Sequence, residues 1–175
     1  MTPESAWLAS HLRDVPDFPE PGIVFKDVTP LLADAEAFRA TVDAVADHAT
    51  ALGVDTVVGV EARGFIFAAA VAYRAGAGFV PVRKPGKLPW TTVSETYALE
   101  YGTDTLEVHD DALGASDTVL VVDDVLATGG TAAATCRLVE RLGGRIAGLA
   151  FVVELGFLGG RAKLTDHDIL SLITV

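Results

Sequence analysis

Cysteine is all but absent. Cys136 is the only one in 175 residues, which excludes an internal disulfide and a cysteine-cage zinc site. A lone thiol on an apolar helical stretch reads as small buried filler, and it fits a reducing, cytoplasmic setting. Basic residues are scarce: 13 Lys and Arg stand against 24 Asp and Glu, a formal net charge of −11. With no basic block, the chain suits neither nucleic acid nor an anionic membrane. On that global balance it suits no polyanion at all. Long apolar runs are missing too. The longest, residues 65–73, is nine residues, against about 20 for a membrane span. Residues 1–5 carry neither the basic start nor the apolar run of a signal peptide. The four histidines (His11, His48, His109 and His167) have no metal-ligand spacing and read as structural or exposed.

Half of the residues are hydrophobic and 21% are charged. That mixture and length suit one folded domain over residues 1–175. Thr2-Pro3 is expected to cap a short helix running to about Leu12. Pro16, Pro19 and Pro21 then forbid regular structure and stiffen the approach to Ile23-Val24-Phe25-Lys26-Asp27-Val28. Asp34 suits the N-cap of a helix with Phe38, Val42, Val45, Ala49 and Leu52 on one stripe, ended by Gly53. Residues 56–60 form a short, doubly apolar strand. Glu61-Ala62-Arg63-Gly64 turns into a helix that stops near Gly76, and residues 79–82 give another strand. Residues 83–105, broken by Pro85, Gly86, Pro89 and Gly102, read as a long mobile loop or hairpin of the kind that closes active sites. Trp90 and Tyr97 are expected at its surface. Residues 118–122 are the strongest strand. A helix to about Leu142, a buried strand at 146–153 and a last strand at 169–175 follow. Strands alternating with helices imply an α/β fold, with a mainly parallel central sheet flanked by helices.

The chemistry concentrates in Val121-Val122-Asp123-Asp124-Val125-Leu126-Ala127-Thr128-Gly129-Gly130-Thr131. An apolar strand is expected to end in two carboxylates. A turn of small residues, with two glycines and two hydroxyls, then opens a helix. Glycines let a ligand approach the backbone, and free N–H groups with the helix dipole attract an anion, ideally a phosphate. Carboxylates at the carboxyl end of a sheet strand suit sugar hydroxyls. The stretch lacks both the Gly-Lys-Ser/Thr of a P-loop and the spacing of a dinucleotide fingerprint.

This stretch resembles the signature of the type I phosphoribosyltransferases, which bind 5-phosphoribosyl 1-diphosphate. Further segments are similar to the adenine-using branch of that family: Phe18-Pro-Glu-Pro-Gly-Ile-Val-Phe-Lys-Asp-Val-Thr-Pro30, Glu61-Ala-Arg-Gly-Phe65, Arg83-Lys-Pro-Gly-Lys-Leu-Pro89 and Ala98-Leu-Glu-Tyr-Gly102. The resemblance covers nearly the whole chain. It implies a small N-terminal hood at about residues 15–30 and a mobile active-site loop at about 83–105. It also implies transfer of a phosphoribosyl group to adenine, giving AMP and pyrophosphate, a purine-salvage reaction. By the same resemblance, Ala127, Thr128, Gly129, Gly130 and Thr131 hold the 5-phosphate, and Asp123 and Asp124 contact the ribose hydroxyls. Arg63, Arg83 and Lys87 meet the pyrophosphate, one of the loop cations from the neighbouring subunit of a homodimer. Val24, Phe25 and Lys26 form the adenine pocket, with Phe25 stacking on the purine. Glu100 helps remove the proton adenine loses, ranking with Arg63 as catalytic, and Tyr101 reaches the site as the loop closes. Magnesium is the implied cofactor, held mainly through the diphosphate, and no side chain is assigned to it. A xanthine- or orotate-using relative would share the phosphate loop and differ in the base segment. A diphosphate-sensing regulator of the same fold would need a basic face for nucleic acid.

Local charge narrows what the net charge excludes. Residues 62–94 hold no Asp or Glu but contain Arg63, Arg74, Arg83, Lys84 and Lys87. Part of that stretch reads as buried helix and strand, where acids would be absent anyway. Still, it leaves room for one small polyphosphate at a basic mouth.

Overall fold

The computed structural model describes residues 2–98 and 102–175. Its elements, in chain order, are α1 (Pro3–Ala9), β1 (Arg13–Pro16), β2 (Val24–Asp27), α2 (Thr29–Ala33), α3 (Ala35–Ala51), β3 (Thr56–Val60), α4 (Gly64–Ala75), β4 (Gly78–Val82), β5 (Thr92–Ala98), β6 (Thr103–His109), β7 (Thr118–Leu126), α5 (Gly130–Arg141), β8 (Arg145–Glu154) and β9 (Ile169–Thr174). Two 3-10 turns, Gly156–Leu158 and Gly160–Lys163, lie between β8 and β9.

Five strands form one sheet in the order β4-β3-β7-β8-β9, each pair parallel. The chain winds outward from β3 to one edge and from β7 to the other. The turns after β3 and β7 therefore open side by side at the carboxyl edge, the place where α/β sheets bind ligands. Side chains alternate between the faces. Val57, Leu120 and Val122 join one core with α3 and α4, while Val58, Val60, Val119 and Val121 join a second with α5 and the β5–β6 hairpin. With both faces covered, these strands read as unbroken apolar runs.

Local signals place the helices. Asp34 Oδ1 accepts the N–H groups of Glu36 at 3.0 Å and Ala37 at 2.8 Å, so α3 starts where the cap requires. Gly76, left-handed at φ +70°, ends α4. Cys136 is buried on α5, and burial pushes its thiol up to about 12, so it stays an inert filler. No described helix is long and apolar enough to cross a membrane.

Several expectations need correction. Helix α1 stops at Ala9. The proline segment is partly regular: β1 pairs antiparallel with β2, setting Asp14 opposite Lys26 and Pro16 opposite Val24. Proline is tolerated there because Pro16 closes the strand in a two-stranded sheet, where a missing N–H costs little. Residues 92–109 form an antiparallel hairpin, with Thr92 opposite His109 and Ala98 opposite Thr103. Tyr97 is only 6% exposed, since the hairpin lays its ring against Gly130 at the start of α5. Trp90 is exposed as expected. Strand β7 does not end before the paired acids. It continues to Leu126 because β8 keeps pairing with it, Asp123 opposite Phe151 and Leu126 opposite Glu154. Both carboxylates are thus buried within a strand.

Candidate active site

Ala127, Thr128 and Gly129 connect β7 to α5, and with Val125, Leu126, Gly130, Thr131 and Ala132 they line a cavity of about 60 Å³. Gly129 has φ +77°, and a Cβ there would lie 2.5 Å from the Gly160 carbonyl oxygen. A Cβ on Gly160 would in turn strike the Ala127 carbonyl. The loop is pressed backbone to backbone against the 3-10 turn, which leaves its N–H face open at the α5 N-terminus. Gly160 escaped the sequence reading. Its only signal was the Gly159-Gly160 pair, far from the loop in the chain.

Behind the loop, Asp123 and Asp124 line a second cavity of about 270 Å³ with Glu61, Lys84, Tyr97, Asp104 and Thr131. Burial drives the Asp123 carboxyl well above the ordinary carboxylate range, and the neighbouring Asp124 charge adds to this. Asp123 Oδ1 also accepts the Asp124 N–H at 2.8 Å. A Cβ on Gly64 would collide with Asp123, so only glycine lets α4 start this close to β7. Arg63 caps that helix start in the chain. Its Nε lies 2.8 Å and its second terminal nitrogen 2.7 Å from Asp124 Oδ2. The same guanidinium sits 4.9 Å from the centre of the Phe25 ring. Arg63 therefore ties the acids to Phe25 on β2.

Arg83 and Lys84 are tied as well. Arg83 forks onto Glu61 with two contacts of 2.9 Å, and Glu61 accepts the Lys84 N–H at 3.1 Å. Hydrogen bonding from Arg83 outweighs burial and holds the Glu61 carboxyl below its ordinary range. Lys84 Nζ is ion-paired with Asp104. Lys87, named from the sequence, is exposed and off this cavity, and its carbonyl accepts a long 3.4 Å contact from Arg83. Lys84 was counted in the acid-free stretch but not placed in the site, and the structure puts it on the lining. Tyr97 and Asp104 were missed because only the hairpin brings them there. Glu100 and Tyr101 lie outside the described residues.

On the other side of the phosphate loop a cleft of about 680 Å³ is lined by Ile23, Val24, Lys26, Leu155, Leu158 and, among others, Thr128. Val24 and Lys26 line it as named from the sequence. Lys26 is paired with Asp14 at 2.6 Å. The Phe25 ring is not among the lining groups. It meets Phe18 edge-on at 5.2 Å and lies under Arg63. Thr128 faces the apolar cleft and Thr131 the charged cavity, so the loop stands between the two.

Comparison with known proteins assigns the family. Residues 34–171 match the phosphoribosyl transferase domain. The adenine phosphoribosyltransferase of Solibacter usitatus is 59% identical over 95% of this chain and 96% of its own length. The chain belongs to the adenine phosphoribosyltransferase family. A solved adenine phosphoribosyltransferase from Thermoanaerobacter pseudethanolicus superposes with a TM-score of 0.94 at 51% identity, covering 98% of this chain and 99% of that one. The Saccharomyces cerevisiae adenine phosphoribosyltransferase, complexed with adenine and an imino-altritol bisphosphate, gives 0.91 at 41% identity, covering 97% and 98%. The central parallel sheet is thus the type I phosphoribosyltransferase sheet.

Proposed function

We propose that the chain transfers the 5-phosphoribosyl group of 5-phosphoribosyl 1-diphosphate to adenine, forming AMP and releasing pyrophosphate. One observation carries the reading: a glycine-rich loop at a helix start stands between an apolar cleft and a charged cavity lined by Lys84 and four carboxylates, two of which hold Arg63 and Arg83. The 5-phosphate sits on the N–H groups of residues 127–131 and on the Thr128 and Thr131 hydroxyls. Asp123 and Asp124 face the ribose hydroxyls. Arg63, Arg83, Lys84 and Lys87 receive the diphosphate, stabilising the charge that grows on it as the anomeric carbon becomes oxocarbenium-like. Val24, Lys26 and their backbone hold adenine in line. Glu100 takes the adenine proton as the Tyr101 segment closes. Glu100→Gln is then expected to lower kcat more than substrate binding, and unchanged kcat would remove Glu100 from the mechanism.

Magnesium belongs to this reading. Among the described residues no group of three or more His, Cys, Asp or Glu side chains is placed to hold a metal ion, and no side chain is assigned to magnesium. When bound, the ion would neutralise diphosphate charge, with most of its ligands drawn from the substrate and water. The reading also includes a cytoplasmic homodimer. Ile66 on α4 and Phe79 on the sheet-edge strand β4 are exposed, and a second copy would cover them. If the basic arm from Arg83 is shared, mixed dimers of Arg83→Ala and Asp123→Asn chains regain activity, and inactive mixed dimers contradict sharing.

The test is pyrophosphate release from 5-phosphoribosyl 1-diphosphate with adenine, hypoxanthine, guanine, xanthine, uracil or orotate offered separately. Adenine should turn over fastest. Faster turnover with any other base overturns the assignment.

A further inference from the structure

A row of four polar groups runs from the phosphate loop across the charged cavity. Thr131 Oγ1 is 3.1 Å from the Tyr97 hydroxyl, and that hydroxyl is 3.2 Å from Asp104 Oδ2. Asp104 is in turn paired with Lys84. The buried Tyr97 ring, packed on Gly130, fixes the middle of the row. Asp104 is also held by the Thr105 N–H at 2.8 Å.

The row has one proton for each of its two hydroxyl contacts and none to spare for a further acceptor. An ion-paired carboxylate only accepts, and a hydroxyl donates one proton. Tyr97 must therefore donate to Asp104, and it accepts from Thr131. The single Thr131 proton then points at Tyr97, so Thr131 offers a phosphate in the loop nothing but lone pairs. For Thr131 to donate to phosphate, the row must reverse. Tyr97 then donates to Thr131, and Asp104 is left with Lys84 and the Thr105 N–H.

We propose that Tyr97 is a positioning residue that sets the two phosphate subsites against each other: Thr131 grips the 5-phosphate while Lys84 stays on Asp104, and its grip weakens when a diphosphate draws Lys84 away. The inference rests on the phosphoribosyl diphosphate reading of the site. Its consequence falls on the product side. As pyrophosphate leaves, Lys84 returns to Asp104, the Tyr97 proton turns to Thr131, and the hold on the nucleotide phosphate tightens.

Tyr97→Phe keeps the packed ring and removes the hydroxyl. Ribose 5-phosphate is titrated by calorimetry into the parent and the variant, with and without saturating pyrophosphate. Two anions repel each other in any site, so the readout is the difference in antagonism between the two chains. Pyrophosphate should weaken ribose 5-phosphate binding about fivefold more in the parent than in Tyr97→Phe, the scale of one redirected hydrogen bond. Asp104→Asn keeps an acceptor but not the charge that commands the Tyr97 proton, so it should shrink the antagonism as well. A global loss of packing would lower affinity without selecting the doubly occupied state. Equal antagonism in the parent and either variant overturns the relay while leaving the phosphoribosyl reading intact. Failure of the parent to bind ribose 5-phosphate overturns both.

Discussion

At the phosphate loop, the groups offered to an anion are backbone N–H groups and two hydroxyls. At the charged cavity they are side-chain cations, Lys84 on the lining and Arg63 and Arg83 paired to carboxylates that line it: Lys84 holds Asp104, Arg63 holds Asp124 and Arg83 holds Glu61. The two regions share Thr131. The loop is shaped by the packing of Gly129 on Gly160, so its binding face is formed when the chain folds. The cavity is kept near neutral by its own pairs, and a diphosphate must exchange them. This is how a chain with a net charge of −11 can present cations to a polyanion without leaving them uncompensated. It also gives opposite expectations: any change at the loop should cost binding, whereas removing Glu61, a competing carboxylate to which this reading gives no substrate contact, should help it.

The largest effect is expected at the loop. Gly129→Ala forces a side chain into a left-handed conformation and into the Gly160 carbonyl. It should reduce kcat/KM for 5-phosphoribosyl 1-diphosphate on the order of a hundredfold, with the purified variant still folded by circular dichroism. Near-parental kinetics would show that the loop is not preformed. Next comes Asp124→Asn, which strips the charge that positions Arg63. A loss of about tenfold in kcat/KM is expected, and an unaltered value would detach Arg63 from the site. Glu61→Gln should act in the other direction. With Arg83 released from its fork, pyrophosphate should bind about threefold more tightly in calorimetry. Weaker binding would mean that Glu61 orients Arg83 rather than competing for it.

The smallest effect is on stability. Hydrogen bonds from Arg83 and Arg161 hold the Glu61 and Glu154 carboxyls below their ordinary value of 4.5. A carboxyl with a lower pKa folded than unfolded stabilises the fold fully above the unfolded value. That contribution is lost as pH falls through the folded pKa. The melting temperature should therefore decline as pH drops below 4.5, less steeply in Glu154→Gln. A flat profile in the parent would contradict these pairings.

What was legible followed local rules. The β3 strand, the Asp34 cap and the Gly76 stop need only neighbours in the chain, and each was placed from the sequence. The glycine-rich loop was legible because its residue types answer one demand, an exposed backbone at a helix start. Helix α2 is five residues, too short for a periodic stripe to show. The reach of β7 past Asp123 was hidden because two acids interrupt an apolar run, and pairing with β8 decides where the strand ends. Tyr97 looked like a surface aromatic until hairpin packing against α5 buried it. The Lys84–Asp104 pair spans 20 residues and forms where the Arg83–Glu107 bridge lays β6 beside the chain that follows β4. Partners joined by tertiary packing leave no periodic trace in the chain.

The central claim is that this site selects adenine for phosphoribosyl transfer. The most direct measurement offers equal concentrations of adenine, hypoxanthine, guanine and xanthine together, with limiting 5-phosphoribosyl 1-diphosphate and magnesium, and resolves the nucleotides by mass. AMP should dominate the products, with pyrophosphate released in equal amount. A mixture led by any other nucleotide, or pyrophosphate released without a nucleotide, would contradict the account.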